Sequence, residues 1–417
     1  MLKPNRSIPY TKIIMSRVLC LVPSFLGNTG EDVNERQLIS ALAKRSQKCY
    51  VVTFAYCKHY LTVKKSRRRM NIPSNIVVIL IPVPNRPLKL LAMIVVSYIM
   101  GMVTLLRFLG KIDLIYIRTS FLSIGFLVFK SLAKKTIVKI PAITEDEIPE
   151  VWGQGILAWL FRKVAHTFDL LTLTRARKIA VNSWISYSYL IRKRGFKRKD
   201  KPLIMPPGVN WSLIEKVKRQ LKKDESKNYM DIGFIGALSW WQGVDILAEA
   251  LALLKNKIPK LRLVIIGDGE MRSEIEEICK KYDITYDIMG FLPHEEALKH
   301  FAKVDVLVLP RRRLSSTEAN IPIKVVEAWA LGVPVIATKH RVFLEYNIRN
   351  FEDIIYCEPE PTDVAKNVLR LINDNKLRGK IIKNGQKLAI QFNYDIIVER
   401  LLREFKNITN ARTNRWN

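Results

Sequence analysis

Carboxylates are the scarce side chains of this 417-residue chain: 38 Asp and Glu stand against 69 Lys and Arg, a formal net charge of +31. A surface of that sign seeks polyanions, whether nucleic acid, anionic lipid headgroups or phosphorylated substrates. The basic residues cluster at 64–69, 192–201, 216–223 and 311–313. They lack interleaved aromatics, and no RNA- or DNA-binding module accompanies them, so nucleic acid is not an expected partner. Cysteine is also scarce. Cys20, Cys49, Cys57, Cys279 and Cys357 are odd in number and form no C-x-x-C pair. That argues against a disulfide framework and a structural zinc site, and for a reducing cytoplasm. There is no short-period repeat, no low-complexity segment and no signal peptide. Residues 1–12 are polar and basic, and the next apolar run, 17–25, contains a proline and reads as a strand. With 48% hydrophobic residues, the chain can bury two cores, and its length fits two domains.

The longest uncharged run is LLAMIVVSYIMGMVTLL, residues 90–106, flanked by Lys89 and Arg107. As a helix it spans about 26 Å, short of a hydrocarbon core of about 30 Å. It lies between two strand-like stretches, and strands sharing a parallel sheet require the chain to return to the same side. Three readings follow: a membrane span, a buried crossover helix, or a crossover helix with one face dipped into an anionic membrane.

Strand-like and helix-like stretches alternate along the chain, the mark of parallel α/β sheets. Strands are expected at 17–22, 49–54, 75–81, 114–117, 137–140 and 178–182, with a glycine-containing loop at 25–32, a helix at 33–45 and a basic helix at 187–195. The stretch LIMPPGVN, 203–210, holds a rigid Pro-Pro-Gly turn and marks a domain boundary. A polar stretch, 216–228, reads as one exposed helix. The alternation then restarts, with strands at 231–235, 261–266, 286–289, 304–309 and 333–337. Helices are expected at 243–255, 271–281, 294–301 and 324–331. Two doubly wound domains follow, 1–205 and 206–395, with 396–417 expected as a helix and tail packing back toward the first. Ligands of such sheets lie beyond the carboxyl ends of the strands, so a cleft between the two domains is the expected site.

Three stretches bear chemistry. Gly267-Asp268-Gly269 joins a strand to a helix, where glycines let backbone N–H groups approach an anion. Arg272 takes the third glycine's place in the dinucleotide fingerprint, and a simple tight turn explains the pair as well. Gly236 to Gly243 also joins a strand to a helix. Its Trp240 and Trp241 are either core or the lining of a ligand pocket. In PIKVVEAWALGVP, residues 322–334, Glu327 lies inside an otherwise apolar helix. A carboxylate there needs a partner: two vicinal sugar hydroxyls, or Lys324 three residues back on the same face.

Together these stretches resemble the donor-binding domain of the family-four retaining glycosyltransferases, of GT-B fold, over roughly 203–338. The resemblance rests on Pro207-Gly208-Val209-Asn210, Gly236 with Gln242-Gly243-Val244-Asp245, Gly267-Asp268-Gly269, Gly290-Phe291-Leu292-Pro293, and Glu327-Ala328 with Gly332-Val333-Pro334-Val335. It implies an α/β chain of two facing Rossmann-like domains. It implies that Glu327 holds the donor ribose, that Phe291 and Leu292 flank the base, and that Gly236, Gly267 and Gly269 lie close to the nucleotide. Trp241, Gln242, Arg311, Pro322 and Lys324 would complete the donor site, with Gln242, Lys324 and loop amides on the diphosphate. Gly27, Asn28 and Gly30 resemble the loop that approaches donor phosphates and acceptor. Three departures stand out. Ala319 occupies the place of the family's first motif glutamate, with Glu318 one residue out of register. The family's diphosphate Arg and Lys fall at Ala237 and Gln242, for which Arg311, Arg313 and Lys324 are candidate substitutes. No histidine lies in 137–149.

The implied reaction moves a sugar from a nucleotide diphosphate sugar to an acceptor hydroxyl with retention of configuration, so the site must stabilise a departing diphosphate and position the acceptor. Glu327, Lys324 and Asp146 are the catalytic candidates. Asp146, with Glu145 and Glu147, would orient the acceptor unless that turn is merely solvated. No Asp-x-Asp stands where it would bind a metal, and no cofactor is expected. A basic first half with an apolar helix suits a lipid-linked glycan acceptor at the cytoplasmic face of a membrane. The rivals are a nucleotide-sugar epimerase of the same fold, an inactive membrane-associated scaffold, and a nucleic-acid-binding protein.

Overall fold

The computed structural model describes residues 15–27, 30–66, 72–84, 88–108, 110–140, 155–195, 198, 200–221, 229–258 and 260–413. Aliphatic runs buried on both faces form its central strands, as parallel sheets require. The first sheet holds β1 (Met15–Leu21), β2 (Ser46–Tyr56), β3 (Ile76–Val83), β4 (Leu114–Arg118), β5 (Thr136–Ile140), β6 (Lys178–Val181) and β7 (Leu203–Ile204) in the order β3-β2-β1-β4-β5-β6-β7, all parallel. The second holds β8 (Met230–Ile235), β9 (Leu261–Ile266), β10 (Thr285–Ile288), β11 (Val306–Leu309), β12 (Val335–Thr338) and β13 (Ile355–Cys357) in the order β10-β9-β8-β11-β12-β13. Each sheet reverses its order beside its first strand, between β1 and β4 and between β8 and β11. Loops diverge there and open a crevice.

One face of the first sheet carries the helix Gly30–Ala43 and the chain's last helix, Tyr394–Thr413, whose Tyr394, Ile397 and Leu401 share a core with Leu38 and Leu42. The other face carries the helices Leu88–Val103, Ile124–Leu127, Ile156–Arg175 and Trp184–Arg194, packed on Leu19, Leu21 and Ile115. The chain thus crosses between the domains twice. The crossings pair with each other: the Val209 amide donates to the Phe392 carbonyl (2.9 Å) and the Tyr394 amide to the Val209 carbonyl (3.1 Å).

The carboxyl edges of the two sheets face one another. Beyond β6, Asn182 Nδ2 donates to Asn320 Oδ1 (2.8 Å). The Ser183 and Ser186 hydroxyls donate to the Ala319 carbonyl (2.6 and 3.1 Å). The Trp184 and Ile185 amides donate to the Glu345 carboxylate (2.8 and 3.1 Å).

Several boundaries differ from those expected. The polar stretch at 216–228 contributes to a helix that starts earlier, Trp211–Gln220, because Asn210 caps it by accepting from the Leu213 amide; residues 222–228 lie outside the described residues. The apolar run at 90–106 forms the helix Leu88–Val103 and a π-helical turn, Thr104–Phe108. Its sixteen residues span about 24 Å. Among the described residues no helix is long and apolar enough to cross a membrane. The helix lies directly on the connection after β4. A methyl group on Gly101 would stand 1.9 Å from the Gly125 carbonyl oxygen, so only glycine allows this approach.

The neighbouring helices are tied by charge. Arg194, with a fully buried side chain, donates twice to Asp169 (3.0 and 2.6 Å). Removing one member of such a pair leaves the other charge buried, at a cost of about 3–5 kcal/mol. Asp169→Ala is therefore expected to lower the urea midpoint by a corresponding amount without changing the slope of the transition. An unchanged midpoint would show that the pair does not hold these helices.

Candidate active site

The crevice of the second sheet is built from close backbone contacts. Gly236, directly after β8, has φ +124°, and Gly267, after β9, has φ +153°. A Cβ on Gly267 would stand 2.0 Å from the Gly236 carbonyl oxygen. The two loops can touch only because Gly267 lacks a side chain. Over Gly236 lies the Lys324 ammonium, 2.7 Å from where a Cβ would project. Lys324 belongs to the first turn of the helix Ile323–Leu331. Its Nζ donates to Gln242 Oε1 (3.3 Å) and sits 4.3 Å from the centre of the Phe234 ring.

Arg311, just beyond β11, is buried with its guanidinium 4.7 Å from the Trp241 ring centre. Its Nε has no hydrogen-bond partner, and no ion pair involving it occurs among the described residues. Burial pushes the Arg311 guanidinium down to about 10. Burial, then repulsion from Arg311, holds the Lys324 ammonium well below the usual lysine range, partly offset by attraction to Glu327. Among the described residues, two cations thus converge without a carboxylate bonded to either. The three consecutive arginines divide their tasks: Arg312 is bound to Asp245 (2.5 Å) and Arg313 to Glu358 (2.6 Å). Arg313, expected as a substitute cation for the cleft, is therefore already neutralised.

Glu327 is buried on the same helix. Its partner is not Lys324 but His294, whose Nε2 lies 2.7 Å from Glu327 Oε1. The other ring nitrogen of His294 is 3.5 Å from Gln37 Nε2 in the first domain, and Gln37 Oε1 accepts from the Asn210 amide (2.8 Å). This chain of contacts runs from one domain to the other through the cleft. Trp241 is half-buried, Gln242 buried and Pro322 half-buried beside them. Gly269 packs on Leu238. Phe291 is exposed in the loop after β10, while Leu292 leans on the domain core. Ala319 is buried and its carbonyl is taken by Ser183 and Ser186. Glu318 does not replace the missing glutamate, since its carboxylate accepts from the Arg341 amide (2.8 Å) and lies 3.3 Å from His340 Nδ1. Burial and the nearby Arg311 push the His340 imidazole down to about 4.

On the first-domain side, the Arg36 guanidinium donates to the carbonyls of Phe25 (2.7 Å) and Gly27 (2.8 Å), which fixes the loop after β1. Gly30 opens the next helix, whose first turn carries Glu31 and Asp32. Asn28 and Asp146 lie outside the described residues. A cluster that the motifs did not reveal sits at the ends of β4 and β5. Buried Glu35 accepts from Arg118 and from the Tyr116 hydroxyl (3.1 Å), and lies 3.8 Å from Lys139 Nζ. A cation at the end of each of two buried strands was the available signal. His294 offered only its place directly after Gly290-Phe291-Leu292-Pro293, and Gln37 none.

The sequence model of glycosyl transferases group 1 matches residues 214–388. The matched segment is similar to glycosyltransferases and covers less than half of the chain. An uncharacterized glycosyltransferase of Methanocaldococcus jannaschii is 24% identical over 286 residues, covering 66% of this chain and 78% of the relative. The GalNAc-alpha-(1->4)-GalNAc-alpha-(1->3)-diNAcBac-PP-undecaprenol alpha-1,4-N-acetyl-D-galactosaminyltransferase of Campylobacter jejuni is 26% identical over 181 residues, 43% of this chain and 48% of its own length. The crystal structure of HepE from Anabaena in complex with UDP superposes with a TM-score of 0.68 at 18% identity, over 94% of this chain and 100% of that one. The two sheets, facing across a cleft, are those of the GT-B fold.

Among the described residues the Glu327 carboxylate has one hydrogen-bond partner, His294. His294→Ala is expected to lower stability by about 1–3 kcal/mol, the cost of a buried acceptor left unpaired, as read from urea denaturation. In the first domain, burial pushes the Lys139 ammonium down from 10.5 to about 8, opposed by Glu35. Between these values the unfolded chain binds the proton and the folded one releases it, so this group makes stability rise as pH increases from about 8 to 10.5. Lys139→Met should flatten that rise relative to the unaltered protein in melts across the same range.

Proposed function

We propose that the protein is a retaining glycosyltransferase that moves a hexose from a nucleoside diphosphate donor to a hydroxyl of a lipid-linked glycan precursor. The observation that carries this reading is the pair of buried Arg311 and half-buried Lys324, cations without a bonded carboxylate among the described residues, with Lys324 one turn from Glu327. A diphosphate supplies the charge they lack, and the amino end of the helix Ile323–Leu331 adds its dipole. Glu327, one turn further along, meets a ribose through its vicinal hydroxyls and shares His294 with it. Phe291 is free to cover the base. As the sugar leaves, negative charge develops on the diphosphate, and the ammonium and guanidinium already stand in place to stabilise it. No metal is required for that step. The acceptor approaches from the first domain, with Asp146 proposed to orient it and the loop at Gly27 and Gly30 beside it. Support for the donor class comes from HepE, solved with UDP. Support for a lipid-linked acceptor comes from the name of the Campylobacter jejuni relative and from the apolar helix Leu88–Val103.

The test is a thermal-shift series with nucleoside diphosphates, followed by transfer assays with the matching sugar donors. At least one diphosphate should raise the melting temperature. Lys324→Ala is expected to abolish most of that rise and to reduce kcat/KM by about 10²–10³-fold, with the melting temperature of the free protein retained. Silence toward every nucleoside diphosphate would sink the donor assignment. Epimerisation of the donor with no acceptor present would replace transfer by isomerisation on the same fold.

A further inference from the structure

One face of the N-terminal domain is apolar on its outside. On the helix Leu88–Val103 and the turn after it, Leu91, Val95, Tyr98, Ile99, Met102 and Leu106 are exposed. Their spacing places them along one side of the helix. The opposite side holds Met93, Ser97, Gly101 and Thr104, all buried. The helix Ile156–Arg175 covers the same face of the sheet, its Leu173 sharing a core with Met93. It leaves Ile156, Trp159, Leu160 and Val164 exposed. The helix Ile124–Leu127 packs between the two, and exposed Val128 follows it. Of the 22 large apolar side chains exposed among the described residues, these 11 and Val103 lie on this face. Single exposed apolar residues are ordinary, but a continuous face is not.

Cations outnumber carboxylates on the described part of this face, where Asp200 is paired with Arg198. Among the described residues from 88 to 177 the only carboxylates are Asp113 and Asp169. Asp169 is buried against Arg194, and Asp113 accepts from the Ser16 and Arg17 amides. Lys163 Nζ lies 5.7 Å over the Trp159 ring. At the carboxyl end of the helix Ile156–Arg175, a groove of about 530 Å³ is lined by Val128, Lys130, Lys134, Arg175, Arg177 and Arg198. No ion pair among the described residues involves Lys130, Lys134 or Arg175.

We propose that this face docks on an anionic lipid bilayer. The apolar stripe enters the interfacial layer, and the groove at Lys130, Lys134 and Arg175 receives a headgroup phosphate. Apolar area and basic rim add in binding such a surface, and neither suffices alone. A second copy of this chain fits worse, because a two-fold contact would set the same cations against each other. The proposal deepens the lipid-linked acceptor reading. Its test needs neither donor nor acceptor, so its failure would leave the donor chemistry standing.

The experiment is co-sedimentation of the full chain with phosphatidylcholine vesicles, with and without phosphatidylglycerol. Binding is expected with phosphatidylglycerol and about tenfold weaker without it. The double variants Val95→Glu with Ile99→Glu, and Lys130→Ala with Lys134→Ala, should each weaken binding by about tenfold or more. Leu253→Glu, at an exposed apolar position on the other domain, should bind as the unaltered protein does. Circular dichroism melts verify that every variant is folded. Three results would overturn the proposal: no binding to either vesicle, equal binding by all folded variants, or a dimer by light scattering that the Val95 and Ile99 substitutions dissociate.

Discussion

Two cations that the fold leaves without a bonded carboxylate, Arg311 and Lys324, set the terms for the whole crevice. Burial raises the cost of charging each, and Arg311 adds to that cost for Lys324. The fold keeps them by stacking Arg311 on Trp241 and placing Lys324 over the Phe234 ring, where aromatic faces return part of the lost solvation. Around them the backbone gives way. Gly236 leaves room for the ammonium and Gly267 leaves room for Gly236. An arrangement this costly to the free protein is most easily understood as one that an anion completes.

The same crevice joins the domains. Glu327, His294 and Gln37 form a line of polar contacts, and Gln37 accepts in turn from the start of the second domain at Asn210. The Glu327 carboxylate is thus held by a residue that also touches the first domain. Where the family resemblance leads one to expect a second carboxylate, Ala319 offers only its carbonyl, and two serines of the first domain bind it. Loss of the side chain and gain of an interdomain contact coincide at one position.

The alternation of buried strands and helices was legible because parallel strands hide both faces and read as continuous apolar runs. Short edge strands such as β7 and β13 show no such run and were invisible. Gly236, Gly267 and Glu327 could be singled out because each breaks a local rule: glycine between strand and helix, or an acid in an apolar helix. His294 and Gln37 break none, and their significance lies in contacts 33 and 257 residues away. The run Arg311–Arg313 illustrates the same limit. Three identical residues receive three environments, since successive side chains leaving a strand point different ways. Likewise the apolar composition of 90–106 was plain in the sequence. Which side of it faces outward became visible only when Gly101 was seen against Gly125.

The two crossings between the domains lie side by side, hydrogen-bonded at Val209 with Phe392 and Tyr394. Two separated tethers would resist any relative movement of the halves. Two tethers bound together behave as one hinge and leave a single easy rotation. The Asn210 amide on Gln37, Asn182 with Asn320 and Trp184 with Glu345 join the same two halves elsewhere along the cleft. The C-terminal helix therefore does more than cover a core: by returning to the first domain beside Val209, it gathers both crossings into one place.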